Sequence, residues 1–123
     1  MKKPAEPKWL DKPADKDVKA AESFLQLLYG PKKARRYSKS LEIADLEKYP
    51  ARDLLRASET PIAEVQAFDW LKQRKEIAAG TAMSPILLIR QENGGHLIIA
   101  DGFHRLCAVF SIDQDAPVPC FIA

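Results

Sequence analysis

Apolar positions recur with a helical period in the first third of the chain. They predict a helix that begins near Asp17 and ends at Gly30 and Pro31, because glycine and proline stop helices. The basic run at residues 32–36 is predicted to open a second, short helix, so that helices occupy residues 17–40. The apolar residues of the first helix are Val18, Ala21, Leu25 and Leu28.

The middle of the chain predicts one strand and two helices. Residues 41–49 alternate weakly between apolar and polar positions, which favours a strand that Pro50 ends. Residues 52–56 fit a short helix. After Pro61 the apolar positions return at helical spacing, and they predict one long helix that Gly80 terminates.

The last part of the chain alternates between strand and helix. Residues 85–90 form a continuous apolar run, PILLI followed by Arg, which is typical of a buried strand. An Asn-Gly-Gly sequence within residues 91–95 predicts a hairpin turn, so residues 96–100 are the expected partner strand. A helix is predicted over residues 103–110 and a final strand over 118–123.

This order of elements predicts an α+β fold with a small mixed sheet and packed helices. The length of 123 residues suits one domain. Residues 1–16 are rich in charge and proline, and they are predicted to form a flexible arm. The domain is expected to span residues 17–123, with an N-terminal helical extension and a core over residues 41–123.

Composition places the chain among ordinary soluble proteins, with 46% apolar and 29% charged residues. The net charge of +2 is too small to favour nucleic acid by itself. No apolar leader and no membrane-spanning run are visible. Two separated cysteines, Cys107 and Cys120, are interpreted as reduced apolar side chains. These features predict a cytoplasmic protein with no membrane partner.

Residues suited to chemistry concentrate where the strand over 96–100 meets the next helix. Asp101 precedes Gly102, and His104 and Arg105 fall in the first helical turn. Free backbone N–H groups and the positive end of the helix dipole favour an anion there, and glycine allows close approach to the backbone. Arginine matches phosphate with a forked donor, and histidine adds a donor near neutral pH. The turn is therefore predicted to bind phosphate.

A structural role accounts for the same residues one by one. Asp101 is suited to cap the helix, and His104 to lie on the surface. Arg105 is suited to pair with a carboxylate, for which Asp101, Asp45 and Asp53 are candidates. Their combination directly after a buried strand favours a functional site over a purely structural role.

The sequence around this turn also resembles a known superfamily. Residues 102–108, GFHRLCA, match the G-x-x-R-x-x-A pattern of the ParB/sulfiredoxin superfamily. The apolar strand over 84–90 and the Val-Pro pair at 118–119 are similar to the flanking parts of that core, and Pro-Ala-Arg at 50–52 resembles its upstream P-x-R box. The resemblance covers roughly residues 41–123 and is greatest to short, stand-alone bacterial ParB-like proteins.

The resemblance implies a ParB/sulfiredoxin-like fold whose turn holds the phosphates of CTP or ATP. By this analogy Gly102, His104 and Arg105 contact phosphate, and Arg52 reaches in from the upstream box. ATP or CTP with Mg²⁺ is the cofactor that the resemblance implies, and Asp101 would help to hold the metal. A phosphotransferase or nucleotide hydrolase activity is the corresponding expectation.

Two departures from the superfamily narrow this expectation. Sulfiredoxins carry a catalytic cysteine where this chain has Phe103, and Cys107 inside the helix does not replace it. Partition ParB proteins carry Glu-Arg-Arg after the glycine, where this chain has Phe-His-Arg. Neither sulfinic acid reduction nor a CTP-dependent clamp is therefore expected. Phe103 still belongs to the predicted phosphate-binding turn, and no catalytic residue is assigned.

Two other functions remain open from the sequence. A nucleic-acid-binding or nuclease-like protein would use the basic run at 32–36 for phosphates and Tyr37 as a stacking ring. A non-catalytic interaction module would use the arm around Trp9 and an exposed sheet edge. The two histidines of the chain match no structural zinc spacing, so no metal site is predicted.

Overall fold

A computed structural model describes residues 6–123 of the chain. Helices and two small sheets make up this part, which confirms the predicted α+β class. No helix in the described range is long and apolar enough to cross a membrane. The helices are α1 (Asp15–Tyr29), α2 (Pro31–Ile43), α3 (Ala51–Ala57), α4 (Ile62–Gln66), α5 (Leu71–Ala78) and α6 (Phe103–Ile112). The strands are β1 (Lys8–Trp9), β2 (Glu47–Pro50), β3 (Ala82–Met83), β4 (Ile86–Ile89), β5 (Ile98–Asp101) and β6 (Pro117–Ile122).

The larger sheet is mixed and has the strand order β2-β6-β4-β5. Strand β6 runs antiparallel to β2 and parallel to β4, while β4 and β5 form an antiparallel pair. The predicted hairpin is therefore confirmed, with Leu88 opposite Ile99 and Ile89 opposite Ile98. This pairing brings the end of β5 beside the beginning of β4, where the candidate site lies.

Helices cover both faces of this sheet, which explains the unbroken apolar run of β4. Ile86 and Leu88 pack into a cluster with α3 to α6 on one face. Leu87 and Ile89 pack with α1 and α2 on the other. Because successive side chains of a strand point to opposite faces, a strand covered on both sides needs apolar residues at every position.

Helix α2 is longer than predicted, and it takes residues that were assigned to a strand. Ala34, Tyr37 and Leu41 are all buried at helical spacing, so the apolar face that packs beneath the sheet continues to the end of α2. The predicted strand over 41–49 is wrong in its first half, and the strand that forms is Glu47–Pro50.

The N-terminal segment is partly tied to the domain. Lys8–Trp9 pairs in parallel with Ala82–Met83, and the Trp9 ring packs against the main core. Within the arm predicted over 1–16, a partly buried aromatic ring and a strand pair therefore connect β1 to the domain. Residues 1–5 of that predicted arm lie outside the described residues.

The long helix predicted after Pro61 is two short helices, Ile62–Gln66 and Leu71–Ala78. The chain breaks because Trp70 adopts a left-handed backbone conformation with φ 54°. That conformation costs about 1–2 kcal/mol in a residue other than glycine. It turns the indole into the core, where the indole N–H donates to the Val65 carbonyl at 2.7 Å. Burial of a large ring offsets the backbone strain.

Candidate functional site

The candidate site is the turn that joins β5 to α6. Asp101 is the last residue of β5, Gly102 precedes the helix with φ 101°, and Phe103 begins α6. A Cβ atom on Gly102 would lie 2.8 Å from both the Arg105 guanidinium and the Ile86 side chain. Glycine is required here twice over, by the positive φ and by the close packing of the turn.

The first turn of α6 leaves backbone donors without partners. The N–H of Leu106 is the first to bond within the helix, to the Gly102 carbonyl at 3.0 Å. The N–H groups of Phe103, His104 and Arg105 precede it, and no side chain of residues 6–123 caps them. Three donors and the positive end of the helix dipole therefore converge at one point. The expected cap by Asp101 is wrong, because its carboxylate bonds Arg105 instead.

The Arg105 guanidinium is hydrogen-bonded to other parts of the protein, so it is not free to bind an anion. Its Nε donates to the Ser84 carbonyl at 3.0 Å, and its Nη2 donates to the Pro85 carbonyl at 3.3 Å and to Asp101 Oδ2 at 3.2 Å. Asp17 of α1 lies 3.7 Å from the same nitrogen, and the Arg105 side chain is only 19% exposed. One guanidinium thus joins α1, β5, α6 and the start of β4. The structural pairing with Asp101 is confirmed.

Electrostatics at the turn are set by two carboxylates that share one guanidinium. Burial raises the pKa of Asp101, and the neighbouring charge of Asp17 raises it further. The positive charges of Arg105 and Lys16 lower that pKa in part. Two carboxylates share the Arg105 guanidinium, so its positive charge is neutralised within the cluster, and the helix end is the part of the turn that favours an anion.

A cavity of about 350 Å³ opens in front of the turn. That volume is within the range of small-molecule sites. Gln73 of α5 is one of its lining residues, and the exposed His104 ring packs against Trp70 with ring centres 5.4 Å apart. The remaining lining residues come from β5 and the turn: Ile99, Ala100, Asp101, Gly102, Phe103 and Arg105.

Arg52 is distant from this turn. Its guanidinium pairs with Asp115 and lies 3.8 Å from Asp53, and its backbone N–H donates to the Gln114 carbonyl. Gln114 and Asp115 follow the C-terminal end of α6, whereas the turn precedes its N-terminal end. The ten residues of α6 therefore separate Gln114 and Asp115 from the turn by about 15 Å. The prediction that Arg52 contacts the same phosphate is therefore wrong.

The side chains at the turn do not form a protein-held magnesium site. Magnesium prefers several oxygen ligands in near-octahedral geometry. Asp101 is the carboxylate nearest the cavity, but one of its oxygens already accepts from Arg105. Within residues 6–123 no group of three His, Cys, Asp or Glu side chains is placed to hold a metal ion. Any Mg²⁺ at this turn would have to arrive with the phosphates it accompanies.

The basic run at 32–36 presents exposed cations, at Lys32, Arg35 and Arg36, but not the predicted stacking ring. The Lys33 ammonium lies over the Tyr29 ring at 4.8 Å and 3.6 Å from a carboxylate oxygen of Glu92. Tyr37 is buried beneath the same cation, so it cannot act as the expected stacking ring. The side-chain packing of α2 therefore contradicts the role assigned to Tyr37.

Two residues at the site had no functional signal in the sequence. Asp17 was predicted only as the start of a helix, and Trp70 only as part of an apolar helical face. Phe68 lies outside the period of that face and is close to Trp70 in the FDW sequence of residues 68–70. Such a cluster favours a turn packed on the core over a continuous helix.

Comparison of the chain with protein-family models, with curated proteins and with solved structures gives no match.

Proposed function

We propose that the turn from Asp101 to Arg105 binds the phosphate group of a nucleotide. One observation carries the proposal: at the start of a ten-residue helix, three N–H groups without partners among residues 6–123 belong to residues that line a cavity of about 350 Å³. Phosphate oxygens are strong acceptors, and they gain both from these donors and from the positive end of the helix dipole.

The proposal assigns different tasks to the side chains of the turn. Gly102 allows phosphate to approach the backbone. The hydrogen bonds of Arg105 hold Gly102 and the first turn of α6 in place. His104 is exposed beside the donors and supplies a further N–H to the ligand. Asp101 lines the cavity but accepts a hydrogen bond from Arg105, so it supports the site by keeping Arg105 in its orientation.

Binding is proposed without a covalent intermediate on the protein, because the described cavity wall carries no hydroxyl or thiol nucleophile. Cys107 lies one helical turn away but is fully buried, and burial raises the pKa of its thiol to about 12. A thiol with that pKa is almost entirely protonated at neutral pH and is a poor nucleophile.

Amide NMR with the whole chain tests the proposal directly. ATP, CTP and tripolyphosphate, each with and without Mg²⁺, are titrated while the N–H signals are followed. Saturable shifts are expected at Phe103, His104 and Arg105, because phosphate oxygens would accept from these three donors. Shifts confined to residues 32–36, or no saturable shift with any of the three ligands, would show that the turn is not a phosphate site.

A charge variant provides the matched comparison. His104→Glu places a negative charge where the phosphate is proposed, while its interaction with the helix dipole preserves the fold. We expect calorimetry to give an affinity at least about tenfold weaker, from like-charge repulsion. Gln26→Glu adds the same charge on an exposed face of α1 and serves as the control, with no comparable loss. Equal losses in both variants would contradict a local site.

A further inference from the structure

Aromatic rings form a continuous group beside the phosphate-binding turn. The Trp70 ring centre lies 5.3 Å from that of Phe68, 5.9 Å from that of Phe103 and 5.4 Å from that of His104. Phe103 and His104 belong to the turn itself, and His104 lines the cavity. The rings of Phe68, Trp70 and His104 are called here the aromatic shelf.

The outer end of the shelf is exposed, although it consists of a large apolar ring. Phe68 is 68% exposed, while Trp70 beneath it is buried. The left-handed backbone at Trp70 separates the two, because it turns the indole inward and leaves Phe68 on the surface. A polar side chain at position 68 would give the chain the same turn without exposing an apolar ring to water. Phe68 therefore offers an accessible ring beside the buried indole.

We infer that the aromatic shelf stacks the base of a mononucleotide whose phosphates lie at the turn. This inference rests on the proposed function and adds the recognition of an aromatic ring to that of phosphate. Planar bases stack on aromatic side chains, and His104 connects the two parts because it touches Trp70 and lines the cavity. A cavity of about 350 Å³ suits a single nucleotide better than a strand of nucleic acid.

The experiment compares ATP with tripolyphosphate, which has the phosphates and no base. Both are titrated with Mg²⁺ by calorimetry into the wild type, Phe68→Ala and Leu71→Ala. Leu71 is the matched control, because it is also exposed and apolar and lies outside the shelf. In a Trp9→Phe background Trp70 is the sole tryptophan, and its fluorescence reports on a base that binds against the neighbouring rings of Phe68 and His104.

Stacking predicts that ATP binds about tenfold more tightly than tripolyphosphate. Phe68→Ala removes most of that difference in affinity and leaves the affinity for tripolyphosphate unchanged. Leu71→Ala changes neither affinity. Only ATP changes the Trp70 fluorescence. If tripolyphosphate binds and ATP binds no more tightly, the shelf is wrong and the phosphate site stands. If neither ligand binds, the phosphate site is wrong and the shelf inference is overturned with it. A ten-residue single-stranded oligonucleotide that binds far more tightly than ATP would overturn the mononucleotide assignment.

Discussion

Removal of the Arg105 guanidinium is the strongest test of how the turn is held. Arg105→Met keeps an unbranched side chain of similar length and removes three hydrogen bonds and one positive charge. The carbonyls of Ser84 and Pro85 lose their side-chain donor, and Asp17 and Asp101 lose their shared cation. We expect a folded but clearly less stable protein.

The size of the effect follows from the burial of the three side chains. Those of Arg105, Asp101 and Asp17 are 19%, 20% and 12% exposed, so the carboxylates are largely withdrawn from water. Loss of one partner from a buried ion pair costs about 3–5 kcal/mol. Residual exposure screens part of that cost, which places the expected loss near the lower bound, at about 3 kcal/mol. Domains of this size have about 5–15 kcal/mol in total, so the variant remains folded.

The free energy of unfolding is measured by urea titration at several pH values. Arg105 lowers the pKa of Asp101, so the variant raises that pKa further above the unfolded value, which is close to 3.8. A group whose folded pKa is raised loses stability as the pH rises through that pKa. The deficit of Arg105→Met is therefore greatest at neutral pH and shrinks as the pH falls towards 4. Arg56→Met removes an exposed arginine of α3 and is expected to change stability by less than about 0.5 kcal/mol.

A double-mutant cycle with Asp101→Asn completes the test. Because the two side chains are hydrogen-bonded, the cycle is expected to give a coupling energy of at least about 1 kcal/mol. The role of Arg105 in holding the turn would be refuted by three results together. Arg105→Met would lower the free energy of unfolding by less than about 1 kcal/mol, the loss would not change with pH, and it would be additive with that of Asp101→Asn.

Three further predictions concern backbone strain and the cysteines. Gly102→Ala is expected to lower stability by more than about 2 kcal/mol in thermal or urea unfolding, because the new Cβ meets the Arg105 guanidinium at a positive φ. Glu59→Gly is expected to leave stability unchanged or raise it by up to about 1 kcal/mol, since Glu59 has φ 56°; a clear loss would show that its side chain outweighs the strain. The buried thiols of Cys107 and Cys120, each with its pKa raised to about 12, should resist iodoacetamide at pH 8 until urea unfolds the chain, as mass spectrometry would record.

Much of the local structure was predictable because neighbouring residues decide it. The stop at Gly30, the hairpin between β4 and β5 and the helix after Gly102 all follow from residues a few positions apart. The buried character of β4 followed from its unbroken apolar run. The junction of strand and helix at residues 101–105 was likewise located from the sequence, while phosphate binding there stays a prediction.

Errors arose where a distant contact outweighed the local pattern. The apolar period after Pro61 favoured one helix, but burial of the Trp70 ring on Phe103 broke it. The weak alternation after residue 41 favoured a strand, but the place of Leu41 in the core kept it helical. In both cases core packing contributed more than local propensity, which is a weak effect per residue.

The sequence by itself determined where the strand–helix junction lies and which residue types it presents. Only the tertiary structure decided what they do. It took Arg105 out of solvent because Asp17, from the other end of the chain, packs beside Asp101. It placed Arg52 beyond the far end of α6 and brought Trp70 against His104. Periodicity describes one segment at a time, whereas these contacts depend on how the sheet and both layers of helices pack together.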